Sequence, residues 1–141
     1  MAALDKFHHA VRTALEKDGW TITDDPLEIE YGKEVVTTMQ VDLGAEKVLA
    51  ARKGLVKIAV EIKSFIGRSN TFEFHLATGQ YRNYRRVLRK IEPDREVYLA
   101  ISQDIYHGYF QNDLVQLALV EDEIKLIVYD AQAEVIVLWK S

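Results

Sequence analysis

Glu61 and Lys63 lie two residues apart in the stretch Val-Lys-Ile-Ala-Val-Glu-Ile-Lys-Ser-Phe, residues 56–65. Val56, Ile58, Val60 and Ile62 alternate there with Lys57, Ala59, Glu61 and Lys63, the two-residue period of a β-strand with one buried face. On such a strand the carboxylate and the ammonium share a face, about 7 Å apart. Asp42 precedes them near the end of another alternating run. Hydrolysis of a phosphodiester needs an activated water and neutralisation of the charge that builds on phosphate oxygens. Magnesium suits both needs: it takes oxygen ligands, keeps several waters and asks for only one or two carboxylates. Asp42 and Glu61 would be those carboxylates, and the main-chain carbonyl of Ile62 a third ligand, with manganese an alternative ion. Lys63 would orient the water or offset the developing negative charge. The competing reading is a solvated strand face carrying ordinary surface charge. Register adds a second alternative. A hairpin turning near Gly54 would set Glu46, rather than Asp42, beside Glu61 unless a bulge at Gly44 corrects it.

Gln80 and Tyr84 are four residues apart in a region of helical period, so they share a face, and Glu73 and Ala77 extend that face backward. A glutamine there would hydrogen-bond a phosphate or a water of the site, and a tyrosine would touch sugar or phosphate. Arg82, Arg85, Arg86 and Arg89 follow at i, i+3, i+4 and i+7, a stripe suited to contacting DNA phosphates without reading bases. The same charges also suit the negative end of a helix dipole. His8, His9, His75 and His107 show no metal-ligand spacing. There is no Gly-rich phosphate loop, nucleophile elbow or His-Glu-x-x-His motif.

At 141 residues, 48% hydrophobic and 28% charged, the chain has the size and composition of one soluble globular domain spanning residues 1–141. Lys6, His8 and Arg12 interrupt the N-terminus before a signal peptide could form, and no apolar run is long enough to cross a bilayer. Cysteine is absent, which excludes disulfides and thiolate chemistry, and a cytoplasmic location is expected. The net charge of −4 runs against the basic surplus of most nucleic-acid binders, so DNA contact would need a local basic face or a partner.

The elements that must position these residues follow from periodicity. Leu4, Phe7, Val11, Ala14 and Leu15 predict a helix over 3–18, stopped at Gly19. Short strands are expected over 20–23 and 27–31, then a strand over 35–43, with Gly44 breaking or bending it. Residues 46–53 read as its continuation, leading through Gly54 into the central strand at 56–65. Asn70 and Glu73 resemble a capping box for a long helix over 71–91, which ends before Pro93. A strand over 97–101, helical structure over 105–120 with a break near Asn112, and strands over 124–129 and 135–139 complete an α/β domain.

The order of helix, strands bearing Asp42 and Glu61-x-Lys63, then a helix with Gln80-x-x-x-Tyr84 resembles the PD-(D/E)xK nuclease superfamily. Nearly the whole chain resembles the XisH family more closely. The matching stretches are Lys-Asp-Gly-Trp (17–20), Val-Asp-Leu-Gly-Ala-Glu-Lys (41–47), Ile-Ala-Val-Glu-Ile-Lys-Ser-Phe (58–65), Glu-Phe-His (73–75), Gly-Gln-Tyr-Arg-Asn-Tyr-Arg (79–85) and Val-Ile-Val-Leu-Trp (135–139). The resemblance implies a restriction-endonuclease-like mixed β-sheet flanked by helices. It also implies a part in excision of a DNA element in cyanobacteria, alongside a companion XisI-like protein and a separate recombinase. Val41 stands where the superfamily motif usually has Pro. DNA and an XisI-like protein are the expected partners, with a homodimer also open, and a non-catalytic accessory factor is the alternative to a magnesium-dependent endonuclease.

Overall fold

A computed structural model describes residues 2–49, 54–67 and 69–141. The chain begins with helix α1 (Ala2–Lys17), strands β1 (Thr21–Asp24), β2 (Leu27–Tyr31), β3 (Thr37–Val41), β4 (Leu43–Leu49) and β5 (Gly54–Ile62), and helix α2 (Asn70–Ile91). It continues with β6 (Arg95–Ser102), α3 (Gln103–His107), a 3₁₀ turn (Tyr109–Gln111), α4 (Asp113–Glu121), β7 (Leu126–Asp130) and β8 (Val135–Lys140). Six strands form one sheet in the order β1-β4-β5-β6-β7-β8, while β2 and β3 pair only with each other. β5, β6 and β7 are parallel, joined by two helical crossovers, and the outer pairs are antiparallel. This is the α/β domain expected from the periodicity, arranged as the mixed, helix-flanked sheet that the family resemblance implies. Among the described residues no helix is long and apolar enough to cross a membrane.

Strand alternation divides the core into two layers. Ile58 and Val60 of β5, with Ile127 and Tyr129 of β7, pack toward Ala10, Val11 and Leu15 of α1. Ala59, Leu99, Leu126 and Val128 point the other way, to Phe74, Tyr81, Tyr84 and Leu88 of α2 and Val115 and Leu119 of α4. Helix α1 closes at Gly19, whose φ of +94° lets Trp20 N–H reach back to the Leu15 carbonyl at 3.0 Å. Helix α2 opens differently from the expected Asn70 cap. Ser69 is the N-cap, its hydroxyl accepting from Phe72 N–H at 3.2 Å, and Asn70 is the first helical residue.

The expected single strand over 35–43 is two strands meeting at Asp42. β3 pairs only with β2, from Leu27↔Val41 to Tyr31↔Thr37, whereas β4 pairs with β1 and β5. The chain changes sheets at the aspartate. Gly44, expected to break the strand, instead continues it opposite Ala59. Its missing side chain makes room: a Cβ there would lie 2.9 Å from Asp24 Oδ2 and 3.2 Å from Arg95 Nη1. Gly54 is not the turn but the first residue of β5, paired with Leu49. The central strand ends at Ile62, earlier than expected, although Lys63 N–H still donates to the Ala100 carbonyl at 3.1 Å. The side chain of Leu4 and residues 50–53 of the expected strand continuation lie outside the described residues.

Tyr81 ties α2 to the start of two strands. Its buried hydroxyl lies 3.2 Å from the Val97 carbonyl and 3.3 Å from the Glu123 carbonyl, and accepts from Lys125 N–H at 3.0 Å. Tyr81→Phe strands the Lys125 amide, and urea titration should show a loss of about 1–3 kcal/mol. A change within about 0.5 kcal/mol, the usual surface value, would mean the hydroxyl organises nothing.

Candidate functional site

The β4–β5 register decides between Asp42 and Glu46. Leu43 pairs with Val60 without a shift along the ladder, so Asp42 stands next to Glu61, and Glu46 pairs with Lys57 far from it. No bulge at Gly44 is needed, because the ladder runs unshifted from Leu43↔Val60 to Leu49↔Gly54. Main-chain bonds then lock the corner. Ile62 N–H donates to Asp42 Oδ2 at 2.8 Å, and Asp42 N–H reaches Glu61 Oε1 at 3.4 Å. Lys63 Nζ lies 3.5 Å from Glu61 Oε2. The three expected side chains meet where β5 ends.

Glu61 is 5% exposed. Burial, and next the charge of Asp42, push its carboxyl up to about 8 from an ordinary 4.5, while Lys63 and the Asp42 amide pull the other way. A carboxyl held this far out of water, beside a second carboxylate, has a charged form that a cation would stabilise. Among the described residues no three His, Asp or Glu side chains gather closely enough to hold a metal unaided. Magnesium needs only one or two carboxylates, so Asp42, Glu61 and the Ile62 carbonyl are a donor set that fits it.

Helix α2 covers the site from one side. Tyr84 donates its hydroxyl to the Gln40 carbonyl at 3.2 Å, just before the corner at Asp42. Its phenol is shifted upward by burial first and then by the charges of Glu61 and Asp42, so it lies within their field. Gln80, one turn earlier on the same face, has a buried Oε1 without a hydrogen-bond partner in the protein. An unpaired buried acceptor is costly; Gln80 shares its helix face with Tyr84 but is not among the residues that line the cleft into which the site opens.

The site opens into a cleft of about 580 Å³. Asp42, Glu61, Ile62, Lys63, Ser64, Ile66 and Gly67 line one wall, Asp5, Phe7 and His8 of α1 another, and Glu73 of α2 a third. Sequence reasoning missed Asp5 and His8. Their three-residue spacing puts them on one face of α1, a signal too common to single out. His8 Nε2 is 2.8 Å from Asp25 Oδ1, and Arg12 bonds the other oxygen of the same carboxylate.

The arginine stripe is elsewhere. Arg85 donates to the Asp122 and Glu123 carbonyls at the end of α4 and lies over the Tyr81 ring at 5.1 Å. Arg82 is 3.7 Å from the Asp122 carboxylate, and Arg86 bonds Asn83 on its own helix. Arg85 and Arg89 share a small cavity with Arg95 and Val97 at the start of β6. Glu61 pairs with Leu99, four residues and about 13 Å further along that strand. Arg85 and Arg89 therefore lie toward the start of β6, away from the carboxylates.

The fold has counterparts among solved structures. A crystal structure of a fdxN element excision controlling factor protein from Anabaena variabilis is 46% identical, with a TM-score of 0.86 over 97% of this chain and 99% of that one. An XisH family protein from Nostoc punctiforme PCC 73102 is 42% identical, with a TM-score of 0.87 over 97% of this chain and all of the other. No curated protein matches the sequence. The family profile described as XisH protein matches residues 1–137. With a match of that extent, the chain belongs to the XisH family.

Proposed function

We propose that this chain takes part in excision of a DNA element and carries a magnesium-dependent phosphodiester-hydrolysing site on a restriction-endonuclease-like sheet. The excision role follows from the solved relative named as an excision controlling factor. The observation that supports the hydrolytic site is the buried Glu61 carboxyl held between Asp42 and Lys63 at the mouth of a cleft. Asp42, Glu61 and the Ile62 carbonyl would hold the ion. When bound, it supplies Lewis acidity toward phosphate and lowers the pKa of water. The protein's own groups do the rest. Glu61 would serve as a carboxylate ligand with its proton released to solvent, and Lys63 would place positive charge beside the phosphate oxygens. Gln80 offers an amide to the phosphate or a water, Tyr84 fixes the corner at Gln40, and Arg86 and Arg89 remain for DNA phosphates outside the cleft.

A second reading is favoured by charge. The net charge is −4, the cleft carries four carboxylates, and Arg82 and Arg85 are engaged within the fold. On this reading the chain is a non-catalytic factor that binds DNA, or an XisI-like protein that brings it to DNA.

Three measurements bear on these readings. Glu61 binds its proton more tightly in the folded chain than in the unfolded one, so metal-free stability should be highest at low pH within the folded range. It should fall as pH rises from about 4.5 to about 8, the window between the two values. Urea titrations should show this slope in the wild type and its loss in Glu61→Gln; an equal slope in both would remove Glu61 as the cause.

Magnesium at 100 times its dissociation constant should stabilise the wild type by about 2.7 kcal/mol in thermal melts near pH 8. Asp42→Asn should abolish that gain. Lys63→Ala should keep it while losing DNA nicking. A wild type indifferent to magnesium and manganese, with and without DNA, would leave the accessory-factor reading.

For DNA contact, Arg86→Ala with Arg89→Ala should flatten the salt dependence of binding by about one to two units of slope. An unchanged slope would return the stripe to ordinary helix surface.

A further inference from the structure

Helix α1 gives one wall to the cleft that holds Asp42, Glu61 and Lys63, and His8 stands on that wall. Its Nε2 lies 2.8 Å from Oδ1 of Asp25, in the turn between β1 and β2. A carboxylate only accepts, so Nε2 carries the hydrogen. Arg12, four residues further along α1, bonds the other oxygen of Asp25 and would fasten the helix to that turn by itself. Neither Asp25 nor Arg12 lines the cleft. The ring therefore turns Nε2 out of the cavity and leaves Nδ1 as the nitrogen that can serve it. Among the described residues Nδ1 has no hydrogen-bond partner, and it is not sealed from solvent. His9 has a different setting: its side chain is 70% exposed against 34% for His8, and it lies 3.6 Å from Glu134.

A ring held in this way is suited to moving a proton. The carboxylate fixes the hydrogen on Nε2 and offsets the charge of the ring when Nδ1 is protonated as well. Displacement at phosphorus puts the attacking and leaving oxygens in line, on opposite sides of the phosphorus. Asp42, Glu61 and Lys63 share the strand wall, with Lys63 held 3.5 Å from Glu61. An attacking water belongs on that wall, and the leaving oxygen across from it. On the α1 wall, His8 is the side chain of the type that exchanges protons near neutral pH.

We infer that His8 gives its Nδ1 proton to the oxygen that leaves phosphorus, with Asp25 as the residue that positions it, a role that rests on the hydrolytic reading of the cleft. A water oxygen bonds to phosphorus as the bond from phosphorus to the leaving oxygen breaks. The leaving oxygen keeps the electron pair of that bond and takes the Nδ1 proton. His8 is left neutral with Nε2–H still on Asp25. The proton lost by the attacking water passes to solvent, and solvent returns one to Nδ1. The substrate class is a diester with an alkoxide leaving group, such as a sugar oxygen of DNA, which departs poorly without a proton.

The wild type's cut sites on a plasmid, mapped with magnesium or manganese, provide the substrate that tests this. A duplex spanning one such site is made twice, once natural and once with sulfur in place of the leaving oxygen, because a thiolate departs without a proton. His8→Ala should cut the natural duplex on the order of 100-fold more slowly and the sulfur duplex at close to the wild-type rate. His8→Gln, whose amide can still donate to Asp25, should behave alike, and Asp25→Asn should show a smaller loss confined to the natural duplex. Thermal melts should show all three variants folded and stabilised by magnesium as the wild type is, since neither residue holds the ion. Nitrogen NMR of the metal-free wild type should place the hydrogen of the neutral His8 ring on Nε2. A neutral ring with its hydrogen on Nδ1 would overturn the assignment whatever the activity. Equal losses on both duplexes, or no loss on either, would overturn the role of His8 and leave the hydrolytic site standing. A wild type that cuts no DNA with either ion would overturn the hydrolytic reading and this role with it.

Discussion

A carboxylate taken out of water loses hydration worth several kcal/mol, and Glu61 sits at the end of β5 with only 5% of its surface exposed. Nothing in a strand requires an acid at that position; valine or isoleucine would pack as well. What keeps Glu61 tolerable is its surroundings: the Asp42 amide, the Lys63 ammonium and the proton that burial makes it hold. Each depends on a different part of the fold. Lys63 must follow two residues later on the same face, and Asp42 must arrive from another strand with its amide turned inward.

That second condition explains the corner between the sheets. A continuous strand through residue 42 would keep its amide in a ladder. Here β3 leaves its partner β2 at Val41 and β4 joins β5 at Leu43, so Asp42 belongs to neither ladder. Its amide is free to meet Glu61, and its carboxylate takes the Ile62 amide that follows. Tyr84 fixes the same corner from above through the Gln40 carbonyl, which makes α2 part of the site's geometry and not only a cover for the core. Gly44 allows Asp24 and Arg95 to close beneath it.

Much of this was legible in the chain. The alternation over residues 56–62 gave the strand, its buried face, and the shared side of Glu61 and Lys63, because a two-residue period leaves little freedom. The helix carrying Gln80 and Tyr84 was equally plain. Pairing was not. Strand periodicity says which face a residue takes but not which strand it meets, so Glu46 and Asp42 competed until the ladder was known. The sheet change at Asp42 was invisible for the same reason: Val35 to Leu43 alternates straight through it. Ser69 displaced Asn70 as the cap because both residues suit that role and only the local backbone chooses. Asp5 and His8 reach the cleft through packing of α1, which no local pattern encodes. The arginines were correctly spaced on one helix, yet spacing could not reveal that α4 ends beside two of them.

Charge placement then constrains how the cleft could meet DNA. Asp5, Asp42, Glu61 and Glu73 line it against Lys63 and His8. Arg85 and Arg89 line a cavity at the start of β6 with Arg95, which lies about 13 Å along that strand from Leu99, the partner of Glu61. That separation exceeds the screening length of about 10 Å at 0.1 M salt, and Arg85 and Arg82 already face carbonyls or a carboxylate. A phosphate approaching the bare cleft therefore meets acidic groups before it feels distant cations. On the proposed hydrolytic reading a cation would have to enter first, offsetting Asp42, displacing the Glu61 proton and freeing Lys63 to face the phosphate. On the accessory-factor reading a basic partner would carry the DNA and the cleft would not meet it. The acidity that counts against simple DNA binding is thus compatible with a site loaded in a fixed order, cation before nucleic acid. A chain that bound DNA tightly without a cation would need a surface other than this cleft.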